Sequence, residues 1–73
     1  MTKLQAKVLA FISQFIDKNG YSPSILEIAD GVKSYTGNVH ASLKRLDERG
    51  YLHKGRGWRN IRLIEGVSNA RAA

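Results

Sequence analysis

The sequence predicts a small, mainly helical α+β domain in which three helices are followed by a two-stranded β-hairpin. Its 73 residues are enough for one small domain. Apolar residues recur at helical spacing in three successive segments, each followed or ended by a glycine. Two short apolar segments then flank a glycine-containing loop, which is typical of a hairpin. We therefore expect one domain over residues 1–65 and a flexible tail over 66–73.

The first helix is predicted over residues 3–18. At 100° per residue, one wide face collects its apolar residues, which include Leu4, Val8, Phe11, Ile12, Phe15 and Ile16. Gly20 is expected to end the helix, because glycine readily adopts the left-handed conformation found at helix C-termini. Two interpretations of the face near Leu9 and Ile16 stay open: it is plain core, or it is a surface for self-association.

The second helix is predicted to begin at Ser24. Pro23 moves Ser22 away from helical angles, and Ser24 and Glu27 have the spacing of a capping box. Gly31 is expected to end this short helix. Its inward-facing residues are expected to be Ile25, Ile28, Ala29 and Val32.

The third helix is predicted over residues 35–49, with Gly50 as its cap and a core stripe of Val39, Leu43 and Leu46. The opposite face has small residues at its centre, Gly37 and Ala41. Lys44 and Glu48 continue the same stripe, and it is flanked by His40 on one side and by Asn38 and Arg45 on the other. Glycine destabilises a helix, so this composition indicates a face that approaches another surface closely. The alternative is that Gly37 is a turn residue before the helix.

The excess positive charge is confined to one part of the chain. The net charge is +6, residues 1–32 and 63–73 each sum to zero, and residues 33–62 therefore hold the whole excess. A basic half joined to a neutral half is typical of a protein that binds a polyanion, above all a nucleic acid. The alternative is a basic surface that only promotes solubility.

The element order α-α-α-β-β is that of a winged helix-turn-helix domain, in which the third helix enters a DNA major groove. Its strands are predicted over residues 51–54 and 60–64, with Ile61 and Leu63 inward. The tip of the hairpin holds Arg56, Trp58 and Arg59. The arginines are expected to contact phosphate or a groove. Trp58 either contacts the DNA backbone or packs on the Leu52 and Ile61 face.

Two segments resemble the N-terminal DNA-binding domain of LexA-type repressors: "NGYSPSILEIADGV" at 19–32 and "NVHASLKRLDERGYL" at 38–52. The resemblance covers residues 3–64. The matching positions of the first segment are Asn19, Gly20, Tyr21, Pro23, Ser24, Glu27 and Ile28. Those of the second segment are Val39, His40, Leu43, Leu46, Gly50 and Leu52.

The resemblance implies sequence-specific binding of double-stranded DNA by a transcriptional regulator, with the third helix in the major groove. The base-facing candidates that it implies are Tyr35, Thr36, Asn38, His40 and Ala41. Lys44 and Arg45 are expected on phosphates, as are the N–H groups of the helix capped by Ser24. The hairpin candidates are Lys54, Arg56, Trp58 and Arg59.

The sequence departs from the family pattern in the region that would recognise bases. Asn38 stands where the family has Thr, Gly37 stands where it has Ser, and the preceding turn is one residue shorter. We therefore do not expect the family's operator sequence to be inherited. The chain also has no segment resembling the self-cleaving peptidase domain that dimerises these repressors. One winged helix contacts one half-site and is expected to bind weakly. Three alternatives follow: the chain forms a homodimer by itself, it binds cooperatively on DNA, or it has another role.

Other classes of function are less favoured by the sequence. The main alternative is a small mobile-element protein that uses its basic face to bind a host protein or ribonucleoprotein complex. An enzyme is not expected, because Asp47 and Glu48 diverge on a helix and no constellation of carboxylates is expected near His40 or His53. No metal-ligand spacing or phosphate loop is present, so no metal or cofactor is expected. The absence of cysteine suits a bacterial cytoplasm or nucleoid.

Overall fold

The predicted fold class is confirmed by a computed structural model, which describes residues 1–55 and 60–64 of the chain. Three helices precede two antiparallel strands. The elements are α1 (Lys3–Asn19), α2 (Ile25–Val32), α3 (Thr36–Glu48), β1 (Leu52–Lys54) and β2 (Ile61–Leu63). The predicted tail over 66–73 and most of the hairpin tip lie outside the described residues. In the described ranges, no helix qualifies as a membrane-spanning segment.

Helix α1 begins and ends at local signals in the sequence. Thr2 is its N-cap and forms a capping box with Gln5. Gly20 has the left-handed conformation, with φ of 81°, and its N–H donates to the Ile16 carbonyl oxygen at 2.8 Å. The predicted end of the helix at Gly20 is therefore confirmed, within the one-residue uncertainty of helix boundaries.

Helix α2 begins as predicted but ends later than predicted. The Ser24 hydroxyl oxygen accepts from the Glu27 N–H at 3.1 Å, and a Glu27 carboxylate oxygen accepts from the Ser24 N–H at 2.8 Å. The prediction that Gly31 ends the helix is wrong, because the helix continues to Val32 and Lys33 adopts the left-handed cap at φ 56°. Gly31 instead makes room for a neighbour, since a Cβ there would overlap the Phe11 ring of α1.

Helix α3 contains Gly37 in its first turn, so the alternative that Gly37 precedes the helix is wrong. Gly50 follows the Arg49 cap and has φ of 82°, which agrees with its predicted place at the helix end. The three helices contact one another pairwise, and α3 also contacts β1. α3 therefore packs against both other helices and against the first strand of the hairpin.

The core lies between the three helices and the base of the hairpin. It contains the predicted stripe of α3 and the inward residues of α1, α2 and both strands: Val8, Leu9, Ile12, Ile28, Ala29, Val39, Leu43, Leu46, Leu52 and Ile61. Leu9 is thus a core residue, and Ile16 packs against the same cluster while partly buried. These positions favour the plain-core interpretation of the α1 face over self-association.

The base of the hairpin is fixed to the helices by a hydrogen bond. β1 and β2 pair with Leu52 opposite Leu63 and Lys54 opposite Ile61. The Ile61 N–H donates to the Ser22 hydroxyl oxygen at 3.2 Å, and both residues are buried. Because Ser22 belongs to the turn between α1 and α2, this hydrogen bond holds the base of the hairpin against that turn.

Candidate nucleic-acid interface

One face of α3 is turned away from the core and is exposed along its length. The helix buries Val39, Ser42, Leu43 and Leu46. The side chains predicted to face bases or phosphates are all exposed, namely Tyr35, Thr36, Asn38, His40, Ala41, Lys44 and Arg45. Tyr35 is 83% exposed although it is a large aromatic residue. Because its apolar residues are buried and its polar residues are exposed, α3 presents a polar surface to which a partner can bind.

In the first half of α3, the centre of the exposed face has no bulky side chain. A Cβ built at Gly37 meets no atom within 4 Å, so packing inside the described protein does not require a glycine there. Ala41 follows one turn later on the same stripe. The two small residues leave the helix backbone accessible to a surface that approaches closely.

Asn38 is held by a residue that the sequence analysis did not select. Its side-chain amide nitrogen, Nδ2, donates to the Ser34 hydroxyl oxygen at 3.2 Å. The Ser34 N–H in turn donates to the carbonyl oxygen of Ala29 on α2 at 2.9 Å. The four-residue separation between Ser34 and Asn38 is compatible with such a hydrogen bond. The sequence predicts the bond only if the turn is known to end, and α3 to begin, next to Ser34.

The charges on this face are exposed and mostly positive. Arg45 lies 3.8 Å from the Glu48 carboxylate, and both side chains are more than half exposed, so this ion pair contributes little to stability. Lys44 and Lys33 are exposed as well. Lys33, in the turn that joins α2 to α3, is a second residue that the sequence analysis left out of the site. The signal for it was a basic residue between two helices.

Ser24 differs from the other described candidates because it is buried. Its hydroxyl and its N–H are both used in the capping box of α2. A phosphate at this end of α2 would therefore meet the remaining N–H groups of the first turn rather than the serine side chain.

The hairpin candidates are only partly described. Lys54 is exposed at the end of β1, and Arg62 is exposed on β2. Arg56, Trp58 and Arg59 lie outside the described residues, so both interpretations of Trp58 stay open. The Leu52 and Ile61 face is buried at the base of the hairpin.

One carboxylate lies near His53. Its Nδ1 atom lies 4.0 Å from a carboxylate oxygen of Asp47, across the junction of α3 and β1. Both side chains are substantially exposed. Within residues 1–55 and 60–64, no group of three or more His, Cys, Asp or Glu residues is placed to hold a metal ion.

A capped second helix, a short turn, an exposed third helix and an adjoining hairpin define a winged helix-turn-helix module of the DNA-binding class. Comparison with models of known protein families identifies the family within this class. The model of the LexA DNA binding domain matches residues 1–58, and the chain belongs to this family.

Individual relatives agree with that assignment. The chain is 43% identical over 51 residues to the LexA repressor of Carboxydothermus hydrogenoformans, covering 68% of this chain and 25% of that protein. It is 37% identical over 70 residues to the LexA repressor of Thermotoga maritima, covering 94% of this chain and 36% of that protein. It is 46% identical over 55 residues to the LexA repressor of Pelotomaculum thermopropionicum, covering 74% of this chain and 27% of that protein. The chain thus spans about a quarter to a third of the length of these curated relatives.

Proposed function

We propose that this chain binds double-stranded DNA sequence-specifically and acts in transcriptional repression. In this proposal α3 lies in the major groove and the hairpin tip contacts the backbone or an adjacent minor groove. The observation that supports it best is the exposed face of α3, which is small at its centre and polar at its rim. α3 lies within residues 33–62, which hold the excess positive charge of the chain.

Base recognition is assigned to the first half of α3. Asn38 has the donor and acceptor pair that adenine requires, and His40 has a donor suited to guanine. The Ala41 methyl group is suited to the methyl group of thymine. Tyr35 and Thr36 stand at the start of the helix, where the contacts with bases are usually made.

Phosphate contacts are assigned to the surrounding positive charges, because they add affinity and set register without recognising sequence. The second half of α3 supplies two of them and the hairpin supplies the others: Lys44, Arg45, Lys54, Arg56 and Arg59. Trp58 is assigned to the DNA backbone. The first turn of α2, capped by Ser24, adds backbone N–H groups.

A single module of this size contacts one half-site and binds weakly. We therefore propose that two copies occupy neighbouring half-sites, spaced by about one or more helical turns of DNA. The prediction is tested by the protein-to-duplex ratio at saturation, where a ratio of one would contradict it. The alternative of a host protein or ribonucleoprotein partner has no support from the relatives.

The test uses the single tryptophan of the chain. Trp58 fluorescence is followed during titration with mixed-sequence duplex DNA at several salt concentrations. In parallel, the anisotropy of labelled DNA reports binding independently of Trp58. We expect log K to fall linearly with log salt, with a slope of about −0.9 for each of roughly four to six phosphate contacts.

The two signals distinguish the outcomes. A change in both signals supports DNA binding with Trp58 at the interface. A change in anisotropy alone supports DNA binding with Trp58 away from the interface, and Trp58→Phe should then bind DNA with unchanged affinity. No change in anisotropy at low salt would overturn the proposed function.

A further inference from the structure

We infer that Ser34 is a positioning residue for base recognition, because it holds the amide group of Asn38 in the plane needed to pair with adenine. The inference rests on the proposed function, since it assigns the specificity of one base contact to a residue that touches no base. It depends on the position of Ser34 in the turn and on the hydrogen bond between the two side chains.

The position of the Ser34 hydroxyl is set by α2 rather than by α3. Its N–H donates to the carbonyl oxygen of Ala29, a core residue, at 2.9 Å. Ser34 is half-buried, and the backbone N–H of the adjacent Lys33 donates to the Asp30 carbonyl oxygen at 3.3 Å. The Ser34 backbone is therefore anchored to α2, and from that position its hydroxyl group can orient an exposed side chain of α3.

Asn38 needs such a point because it is exposed. A free asparagine amide rotates about its terminal bond with little preference, since such torsions are broad. The hydrogen bond of 3.2 Å from Nδ2 to Ser34 restrains this rotation. It uses one amide hydrogen and leaves the other hydrogen and Oδ1. Adenine presents an acceptor at N7 and a donor at N6, which are complementary to those two groups.

A purely structural role for the bond makes a different prediction. Tyr35, the N-cap of α3, makes no side-chain capping bond, so the Ser34–Asn38 bond also fastens the first turn of the helix. If fastening is its only role, losing it weakens binding to every duplex equally. If it positions Asn38, losing it weakens the discrimination of one base pair.

The experiment begins by selecting the preferred duplex of the wild-type protein from a random pool. Dissociation constants are then measured for that duplex and for duplexes that differ from it at single base pairs. Four variants are compared with the wild type: Ser34→Ala, Ser34→Thr, Asn38→Ala and the double variant of Ser34→Ala with Asn38→Ala. Circular dichroism and thermal melting confirm that each variant is folded.

We expect Asn38→Ala to lose about tenfold or more of the discrimination at one A·T pair. Ser34→Ala should lose about three- to tenfold at the same pair and leave the other pairs within about twofold. Ser34→Thr keeps the hydroxyl and should retain most of the wild-type discrimination. In the Asn38→Ala background, Ser34→Ala should have no further effect on that pair, because the two residues act as a unit.

Three results would overturn the inference while leaving the proposed function in place. They are an unchanged base-pair profile for Ser34→Ala, an equal loss of affinity for all duplexes, and an Asn38→Ala profile that changes at no A·T pair. If the wild-type protein selects no sequence from the pool, the proposed function fails, and the inference fails with it.

Discussion

Gly37 occupies an exposed position in the first turn of α3, where a methyl group would touch nothing in the described protein. Its conformation is that of the helix, so the backbone does not require glycine. A glycine inside a helix destabilises the folded state by about 0.5–1 kcal/mol relative to alanine. Packing within the described residues therefore does not explain this glycine, and the proposed function assigns it to close approach of the helix to DNA.

Gly37→Ala is accordingly expected to change stability and binding in opposite directions. The free energy of unfolding should rise by about 0.5–1 kcal/mol in urea denaturation. DNA affinity should fall by about tenfold, because the added methyl group lies where the helix meets the bases. Gln14→Ala, on the exposed surface of α1, is the control and should leave affinity unchanged. Unaltered binding by the Gly37 variant would contradict a close approach at this position.

Lys33 is a strained residue in the turn between α2 and α3. It is the only non-glycine residue with positive φ among the described residues, and the left-handed conformation costs an ordinary residue about 1–2 kcal/mol. Lys33→Gly should therefore raise the free energy of unfolding by about 1 kcal/mol. The matched control is Lys18→Gly in the last turn of α1, which should lower it by about 0.5–1 kcal/mol. A decrease for both variants would show that the Lys33 side chain contributes more to stability than the strain costs.

At the scale of elements, the sequence predicts what depends on neighbours along the chain. The capping box of Ser24 and Glu27, the glycine at the end of α1 and the stripes of α3 are all local patterns, and the structure confirms them. The predicted end of α2 is wrong because a glycine near the end of a helix can either cap the helix or allow another element to pack closely. Gly31 allows close packing, since a Cβ there would overlap the ring of Phe11 on α1.

The candidate site divides in the same way. The exposed face of α3 was predictable because it is the complement of the core stripe. The burial of Ser24 and the bond between Ser34 and Asn38 depend on how the turns fold, which residue spacing alone does not determine. The bond between Ser22 and Ile61 joins residues 39 positions apart, and no local pattern indicates it.

Two buried serines allow the link between hairpin and helices to be tested against a matched control. Ser22→Ala leaves the buried Ile61 N–H without its acceptor, so the free energy of unfolding should fall by about 1–3 kcal/mol. Ser13 is equally buried, but its hydroxyl has no hydrogen-bond partner among the described residues. Ser13→Ala should therefore be neutral or stabilising by up to about 1 kcal/mol. Equal losses in the two variants would mean that the Ser22 bond contributes nothing specific.

At the scale of the whole molecule, charge is separated along the chain. Residues 1–32 are neutral, and residues 33–62 hold the excess of +6. α3, β1 and all of β2 except Leu63 fall in the charged part, and α1 and α2 fall entirely in the neutral part. The molecule should therefore approach a polyanion with the α3 side first, at a rate that falls as salt rises.

Replacing one lysine in each half tests this asymmetry. Lys44→Gln removes a cation from the proposed interface, so affinity at low salt should fall severalfold and the salt slope should become shallower by about 0.9. Lys3→Gln removes the same charge from the start of α1 and should leave the slope unchanged. Equal changes in the two variants would indicate attraction by net charge rather than by a defined face.

The bond between the Ile61 N–H and the Ser22 hydroxyl also bears on exchange of amide hydrogens with deuterium. Ile61 begins a strand of only three residues, and such a strand is expected to fray and exchange quickly. Its amide hydrogen, however, points to the turn before α2 and is released only when the hairpin separates from the helices. Ile61 should therefore exchange more slowly than expected for so short a strand, at a rate set by separation of the hairpin from the helices, and Ser22→Ala should abolish that protection.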